Sequence, residues 1–100
     1  MTDKKKEAPE QEVDREDILF LNLIKMLELS VKSSMGLEKN PVTGEDKVDL
    51  ESARINLDII IMIQNKTSGN LNDILTRYLR DMVTQLQMEY IKLDTDSKKS

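Results

Sequence analysis

The sequence contains no cysteine, no histidine and no tryptophan among its 100 residues. The absence of cysteine excludes disulfides, thiolate nucleophiles and thiolate metal sites. The absence of histidine removes the commonest general base and the commonest metal ligand, so catalysis would depend on carboxylates, lysines or tyrosines alone. We therefore expect a protein that is not an enzyme and that holds neither a metal nor a cofactor.

Aromatic residues and long apolar runs are also scarce. Aromatics make up 3% of the chain and apolar residues 38%, so a core must consist mainly of Leu, Ile, Val and Met, which suits helices packed on helices. The longest apolar runs, residues 18–21 and 59–63, fall far short of the roughly 20 residues that cross a bilayer. Acidic residues closely follow Lys4–Lys6, which argues against a secretory signal peptide. We expect a cytoplasmic protein without a membrane span.

Periodicity and capping signals predict an all-α fold of three helices, at about residues 14–35, 50–68 and 73–93. Asp49 and Asn72 offer side-chain acceptors at two of the helix starts, and Gly36 and Gly69 are suited to helix ends. A loop of about a dozen residues joins the first two helices. The polar segments 1–12 and 94–100 are predicted to be disordered tails that flank one domain at 13–93.

The first two predicted helices carry more apolar surface than one neighbour can cover. On the second helix, one stripe contains Leu57 and Ile60, and a second stripe lies roughly opposite. The first helix is apolar over about half of its circumference. Exposed aliphatic side chains cost roughly 1.5 to 3 kcal/mol each, which predicts a homo-oligomer, most simply a two-fold dimer. The predicted interface consists of Leu19, Phe20, Leu23, Leu27, Ile55, Ile59, Met62 and Ile63.

A polar turn between the second and third helices provides an alternative site. Lys66, Thr67, Gly69 and Asn70 precede a helix start, where an anion could bind, although the glycine pattern of a phosphate-binding loop is missing. This turn would serve a small anionic-ligand-binding or enzymatic protein.

A helix-turn-helix is a lesser alternative. It would use Arg77 and Arg80, but both lie near acidic residues on the third helix. The net charge of -4 makes nucleic acid an unfavourable partner.

Several short motifs resemble those of an uncharacterised bacterial family of short helical proteins, a domain of unknown function. They are residues 35–37, Asn40-Pro41 with Thr43-Gly44, the segment 48–51 with Ala53, the Lys-Thr-x-Gly-Asn-Leu element at 66–71, and Tyr90. The resemblance covers about residues 18–93. Asn72 and Asp73 depart from the family's Thr or Ser cap followed by glutamates, although Asn72 preserves the capping chemistry. The resemblance implies a bacterial, cytoplasmic protein and transfers no catalytic residue.

The sequence thus favours a non-catalytic interaction or structural module that acts through apolar helix faces. Its expected partners are a second copy of the chain and, after that, another protein.

Overall fold

The computed structural model describes residues 14–39, 42, 44 and 47–99. Over these residues the chain forms three helices and no strand: α1 at Arg15–Ser34, α2 at Leu50–Lys66 and α3 at Asp73–Lys99. The predicted all-α fold is confirmed. The segment 1–12, predicted to be a tail, and Ser100 lie outside the described residues.

Helix α1 begins with a reciprocal pair of hydrogen bonds. The Asp17 backbone N–H donates to Asp14 Oδ1 at 2.9 Å, and the Asp14 backbone N–H donates to Asp17 Oδ2 at 3.0 Å. Two backbone donors at the helix start are satisfied in this way. The helix ends at Ser34, followed by Gly36 with a φ of 78°. These bounds agree with the prediction of 14–35.

Helix α2 begins at a capping aspartate, as predicted. Asp49 Oδ1 accepts a hydrogen bond of 3.1 Å from the Ser52 backbone N–H, and Asp49 Oδ2 accepts one of 2.9 Å from the Ser52 hydroxyl. These bonds, the backbone one first, lower the pKa of Asp49. The helix ends at Lys66, two residues before the predicted end. The Thr67 hydroxyl there donates to the Ile63 carbonyl at 2.8 Å.

Helix α3 is longer than predicted. Its start is confirmed, since Asn72 Oδ1 accepts a hydrogen bond of 2.8 Å from the Leu75 backbone N–H. The predicted end near residue 93 is wrong, because residues 94–99 continue the helix. The segment is polar but has no glycine or proline to stop a helix. An ion pair of 3.3 Å between Lys98 and Asp94 stabilises its last turns. A cation near the C-terminal end also interacts favourably with the helix dipole.

The three helices pack around one core, with α2 antiparallel to α1. The Ser30 hydroxyl accepts a hydrogen bond of 3.0 Å from the Asn56 amide, and the Asp49 N–H donates to the Ser34 carbonyl at 2.7 Å. The start of α3 lies beside the start of α1, because the Asn72 amide donates to Asp17 at 3.0 Å. The buried apolar residues come from all three helices and the first helix end: Ile24, Val31, Met35, Ala53, Leu57, Ile60, Leu75, Leu79, Met82, Val83 and Leu86.

Candidate interaction surface

An apolar surface lies on the side of the α1–α2 pair that faces away from α3. We call it the α1–α2 apolar face and define it by three residues of α1 and three of α2: Leu19, Leu23, Met26, Ile55, Ile59 and Met62. At 100° per residue, each set of three spans an arc of about 60°, centred roughly 130° from the buried stripe on α1 and roughly 160° from it on α2. The six side chains therefore form two parallel rows.

Hydrogen bonds between the helices fix the position of these rows. Ser30 falls in the same arc of α1 as Leu23 and bonds to Asn56 of α2, so this arc borders α2. The opposite flank of the α1 stripe carries Asp17 and Glu28, which bond to residues of α3 or its cap. The two rows therefore adjoin each other and lie away from α3.

The α1–α2 apolar face is substantially exposed to solvent. The exposed fractions are 51% for Leu19, 45% for Leu23, 69% for Met26, 55% for Ile55 and 47% for Met62, whereas Ile59 is half-buried. Single exposed aliphatic residues are common on protein surfaces, but a contiguous group marks a binding surface more often. No charged residue falls within either three-residue arc between its first and last member, as in the centre of protein interfaces.

The other predicted interface residues lie at the edge of the core. Phe20, Leu27 and Ile63 are half-buried and pack against the buried residues of their own chain. Met26 was not among the predicted interface residues, yet it is the most exposed of the six that define the face. Its spacing from Leu19 and Leu23 could have identified it.

The structure places two of the four residues of the predicted polar turn at one cavity and two outside it. Thr67 and Gly69 line a cavity of about 290 Å³ at the junction of α2 and α3, whereas Lys66 and Asn70 do not line it. The Thr67 hydroxyl is engaged by the Ile63 carbonyl, and the Asn70 backbone N–H donates to the Thr67 carbonyl at 2.9 Å. Arg80 also lines the cavity, a contribution that sequence spacing did not reveal. The hydrogen bonds of Thr67 and Asn70 are typical of a helix end followed by a turn.

The charged groups of the described surface are mixed in sign. Arg80 lies 3.4 Å from Asp81, and Arg54 lies 3.9 Å from Asp58. Such exposed pairs contribute little to stability. The exposed residues of α3 near Arg77 include Asp73 and Asp81, so the face considered for DNA binding is not uniformly basic.

A second exposed apolar region lies between α2 and α3. A groove of about 390 Å³ is lined by Leu57, Ile61 and Tyr90 and bordered by Met88 and Ile91, which are 66% and 62% exposed. The Arg54–Asp58 pair lies at its rim. This groove has fewer exposed aliphatic side chains than the α1–α2 apolar face and is interrupted by charge.

One partly buried polar network joins α1 and α3. The Tyr78 hydroxyl donates to Glu28 Oε1 at 2.6 Å, and Glu28 Oε2 lies 3.3 Å from Lys32 Nζ. Burial, and then the hydrogen bond to Glu28, raise the pKa of Tyr78 to about 12. The phenol is therefore a stable hydrogen-bond donor at neutral pH, which suits a structural role.

The described residues contain no group of three or more acidic, histidine or cysteine side chains arranged to hold a metal ion. Within the same residues, no helix combines the length and apolarity needed to cross a membrane.

Comparison with known proteins places the chain in a family. No curated protein and no solved structure was found to match it. A family model described as a domain of unknown function, DUF1844, matches residues 17–92. The matched segment includes all of α2, most of α1 and α3, and all six residues of the α1–α2 apolar face. The chain therefore belongs to the DUF1844 family, whose function is unknown.

Proposed function

We propose that this chain is a non-catalytic interaction module of the bacterial cytoplasm that binds a second copy of itself through the α1–α2 apolar face. The observation that carries the proposal is the contiguous, uncharged and exposed pair of aliphatic rows opposite α3. The absence of cysteine and the family resemblance support the location. In a two-fold dimer each face would be covered by the same face of the other chain.

The exposed area of the face sets the expected affinity. Its exposed fractions amount to about three fully exposed aliphatic side chains per chain, worth roughly 5 to 9 kcal/mol when buried. Two such faces contribute twice that amount, against association costs of about 4 to 15 kcal/mol. Because these two ranges overlap, only a modest net free energy of association remains. We therefore expect a dimer that dissociates on dilution.

A second copy is a suitable occupant because the face is self-complementary in chemistry. Both rows are aliphatic, and each contains one methionine, whose flexible thioether adapts to an opposing surface. A polar partner would leave these side chains without apolar contacts. The face also lies on helices rather than on a loop, so little ordering is required on association.

The test is the molar mass of the full chain, measured by light scattering after size-exclusion chromatography at several concentrations. We expect a dimer at tens of micromolar and above, and dissociation on dilution. Ile55→Lys places a charge in the centre of the face at a position that is 55% exposed in the monomer. This variant should remain folded and should be monomeric over the same range.

Ile91→Lys is the matched control. Ile91 is also an exposed isoleucine, 62% accessible, but it lies at the α2–α3 groove. The Ile91→Lys variant should dimerise like the unsubstituted chain. A wild-type chain that stays monomeric at several hundred micromolar, or equal loss of the dimer in both variants, would contradict the proposal. Circular dichroism confirms that each variant keeps its helices.

A further inference from the structure

Methionine is the most readily oxidised residue type in this chain. The sequence has six methionines and no cysteine, tryptophan or histidine. An oxidant of the peroxide class converts a thioether into a sulfoxide. The sulfur lone pair attacks one peroxide oxygen, the S–O bond forms as the O–O bond breaks, and the other oxygen leaves as water with both protons. The sulfur thereby loses two electrons, and the peroxide gains them.

Solvent exposure separates the described methionines into two groups. Met35 and Met82 are buried, with exposed fractions of 1% and 5%. Met26, Met62 and Met88 have exposed fractions of 69%, 47% and 66%. A dissolved oxidant reaches an exposed thioether more readily than one in the core. Two of the three exposed methionines belong to the α1–α2 apolar face, whereas Met88 lies at the α2–α3 groove.

Met26 and Met62 occupy the centre of the α1–α2 apolar face. The hydrogen bonds between α1 and α2 fix the antiparallel register of these helices. In that register Met26 lies level with Ile59, and Met62 lies level with Leu23. The other two members of the face lie further out, one at each end. Both methionines therefore lie where an interface excludes water most completely.

We propose that Met26 and Met62 are oxidation sites through which a peroxide-class oxidant prevents self-association. This inference rests on the proposed dimer and adds its regulation. Because the dimer dissociates on dilution, free chains present both thioethers to the oxidant. A sulfoxide oxygen is a strong hydrogen-bond acceptor, and none of the six side chains of the face has a donor to offer it. Oxidised chains therefore remain monomeric.

A dithiol can reverse the modification. Methionine sulfoxide reductases pass two electrons and two protons from a dithiol to the sulfoxide, so the oxygen leaves as water and the dithiol becomes a disulfide. One reductase acts on each of the two sulfoxide epimers. The chain has no thiol of its own to interfere with this exchange. Self-association should therefore return once the sulfoxides are reduced.

The test is hydrogen peroxide treatment of full-length chains. Light scattering measures the molar mass, and tandem mass spectrometry measures the oxidised fraction at each methionine. Oxidation at Met26 and Met62 should raise the dissociation constant of the unsubstituted chain by about a hundredfold, because each sulfoxide would be buried without a donor. Incubation with both reductases and dithiothreitol should restore the dimer.

Leucine substitutions provide matched controls. The double variant Met26→Leu/Met62→Leu keeps the face apolar but cannot be oxidised there, so it should dimerise before and after treatment. Met88→Leu removes an equally exposed methionine outside the face and should lose its dimer like the unsubstituted chain. If the double leucine variant also dissociates after treatment, other sites explain the effect and the proposal is wrong.

A glutamine double variant, Met26→Gln/Met62→Gln, imitates the sulfoxide without an oxidant. It should be a folded monomer, since both positions are exposed in the free chain, whereas Met88→Gln should dimerise. Normal dimers of the glutamine double variant, or of chains fully oxidised at Met26 and Met62, would overturn the proposal. Loss of the helical circular dichroism on oxidation would also overturn it, because dissociation would then follow from unfolding.

The rate of oxidation gives a second readout. At high protein concentration Met26 and Met62 should react more slowly relative to Met88 than at low concentration, because the dimer covers them. Rates that keep the same ratio in a chain that dimerises would contradict the assignment of these two sites. Failure of the proposed function is a different outcome, namely an untreated, unsubstituted chain that is monomeric at every concentration.

Discussion

The Tyr78 hydroxyl of α3 donates a hydrogen bond of 2.6 Å to a carboxylate oxygen of Glu28 on α1. The same carboxylate lies 3.3 Å from the Lys32 ammonium through its other oxygen. The contact joins the first and last helices, whose remaining contacts are mainly apolar, and it is partly shielded from solvent. A hydrogen bond to a charged acceptor contributes more than a neutral one.

Tyr78→Phe should lower the free energy of unfolding by about 1 to 2 kcal/mol, because it removes the donor and leaves the partly buried Glu28 with Lys32 as its one remaining partner among the described residues. Chemical denaturation of a monomeric background such as Ile55→Lys measures the change. Tyr90→Phe is the matched control, since it removes a hydroxyl from the other half-buried tyrosine of α3. Equal losses in both variants would show that the Glu28 contact contributes nothing specific.

The ionisation of Tyr78 should make the fold sensitive to alkaline pH. The folded pKa of Tyr78 is raised from 10.0 to about 12. Its stabilising contribution is therefore fully present below pH 10 and is lost as the pH rises through 12. The chain has two tyrosines, so Tyr90→Phe leaves Tyr78 as the only phenol in an ultraviolet titration. A Tyr78 midpoint at the ordinary value near 10.0 would contradict this prediction.

Asn72 has two structural roles that substitutions can separate. Its side-chain oxygen caps α3 at Leu75, and its amide donates to Asp17 of α1. Asn72→Ser keeps a capping oxygen but loses the tie to α1, so we expect a loss of about 1 kcal/mol. Asn72→Ala loses both and should cost about 2 kcal/mol. Thermal unfolding of the two variants should rank them in this order. Identical melting temperatures for the two variants would mean that the cap has no effect, and an Asn72→Ser variant that melts with the unsubstituted chain would mean that the tie has none.

Two isoleucines of α2 should separate folding from association. Ile60 is fully buried, and Ile60→Ala should cost about 2 to 4 kcal/mol of stability by leaving a cavity. Ile55→Ala removes a similar side chain from the exposed face, so it should change monomer stability by less than about 0.5 kcal/mol and weaken the dimer instead. Denaturation at low protein concentration, paired with light scattering at high concentration, measures both quantities. A large stability loss in Ile55→Ala would place that residue in the core.

The sequence was sufficient to locate the helix starts, because the predicted caps Asp49 and Asn72 act through local hydrogen bonds. Asp14 caps α1 in the same way, although the sequence indicated only an acidic first turn there. Long-range geometry was not accessible in the same way. The contact between Tyr78 and Glu28 spans fifty residues, and neither residue type nor spacing indicates it.

The end of α3 was misjudged for a physical reason. Polar composition argued for a tail, whereas the absence of helix breakers and the Asp94–Lys98 pair favour continuation of the helix. The apolar periodicity of α1 and α2 identified two stripes, but it could not separate residues at the edge of the core, such as Leu27, from exposed ones, such as Leu23. That distinction depends on where α3 packs.

The unequal lengths of the two connections have a consequence for the order of folding. Only residues 67–72 separate α2 from α3, whereas residues 35–49 separate α1 from α2. Closing the shorter connection costs less chain entropy, so we expect the α2–α3 hairpin to form in the transition state and α1 to dock later. Kinetic φ-values should then be higher for Leu57→Ala and Leu79→Ala than for Ile24→Ala. An early, α1-containing nucleus would reverse that ranking.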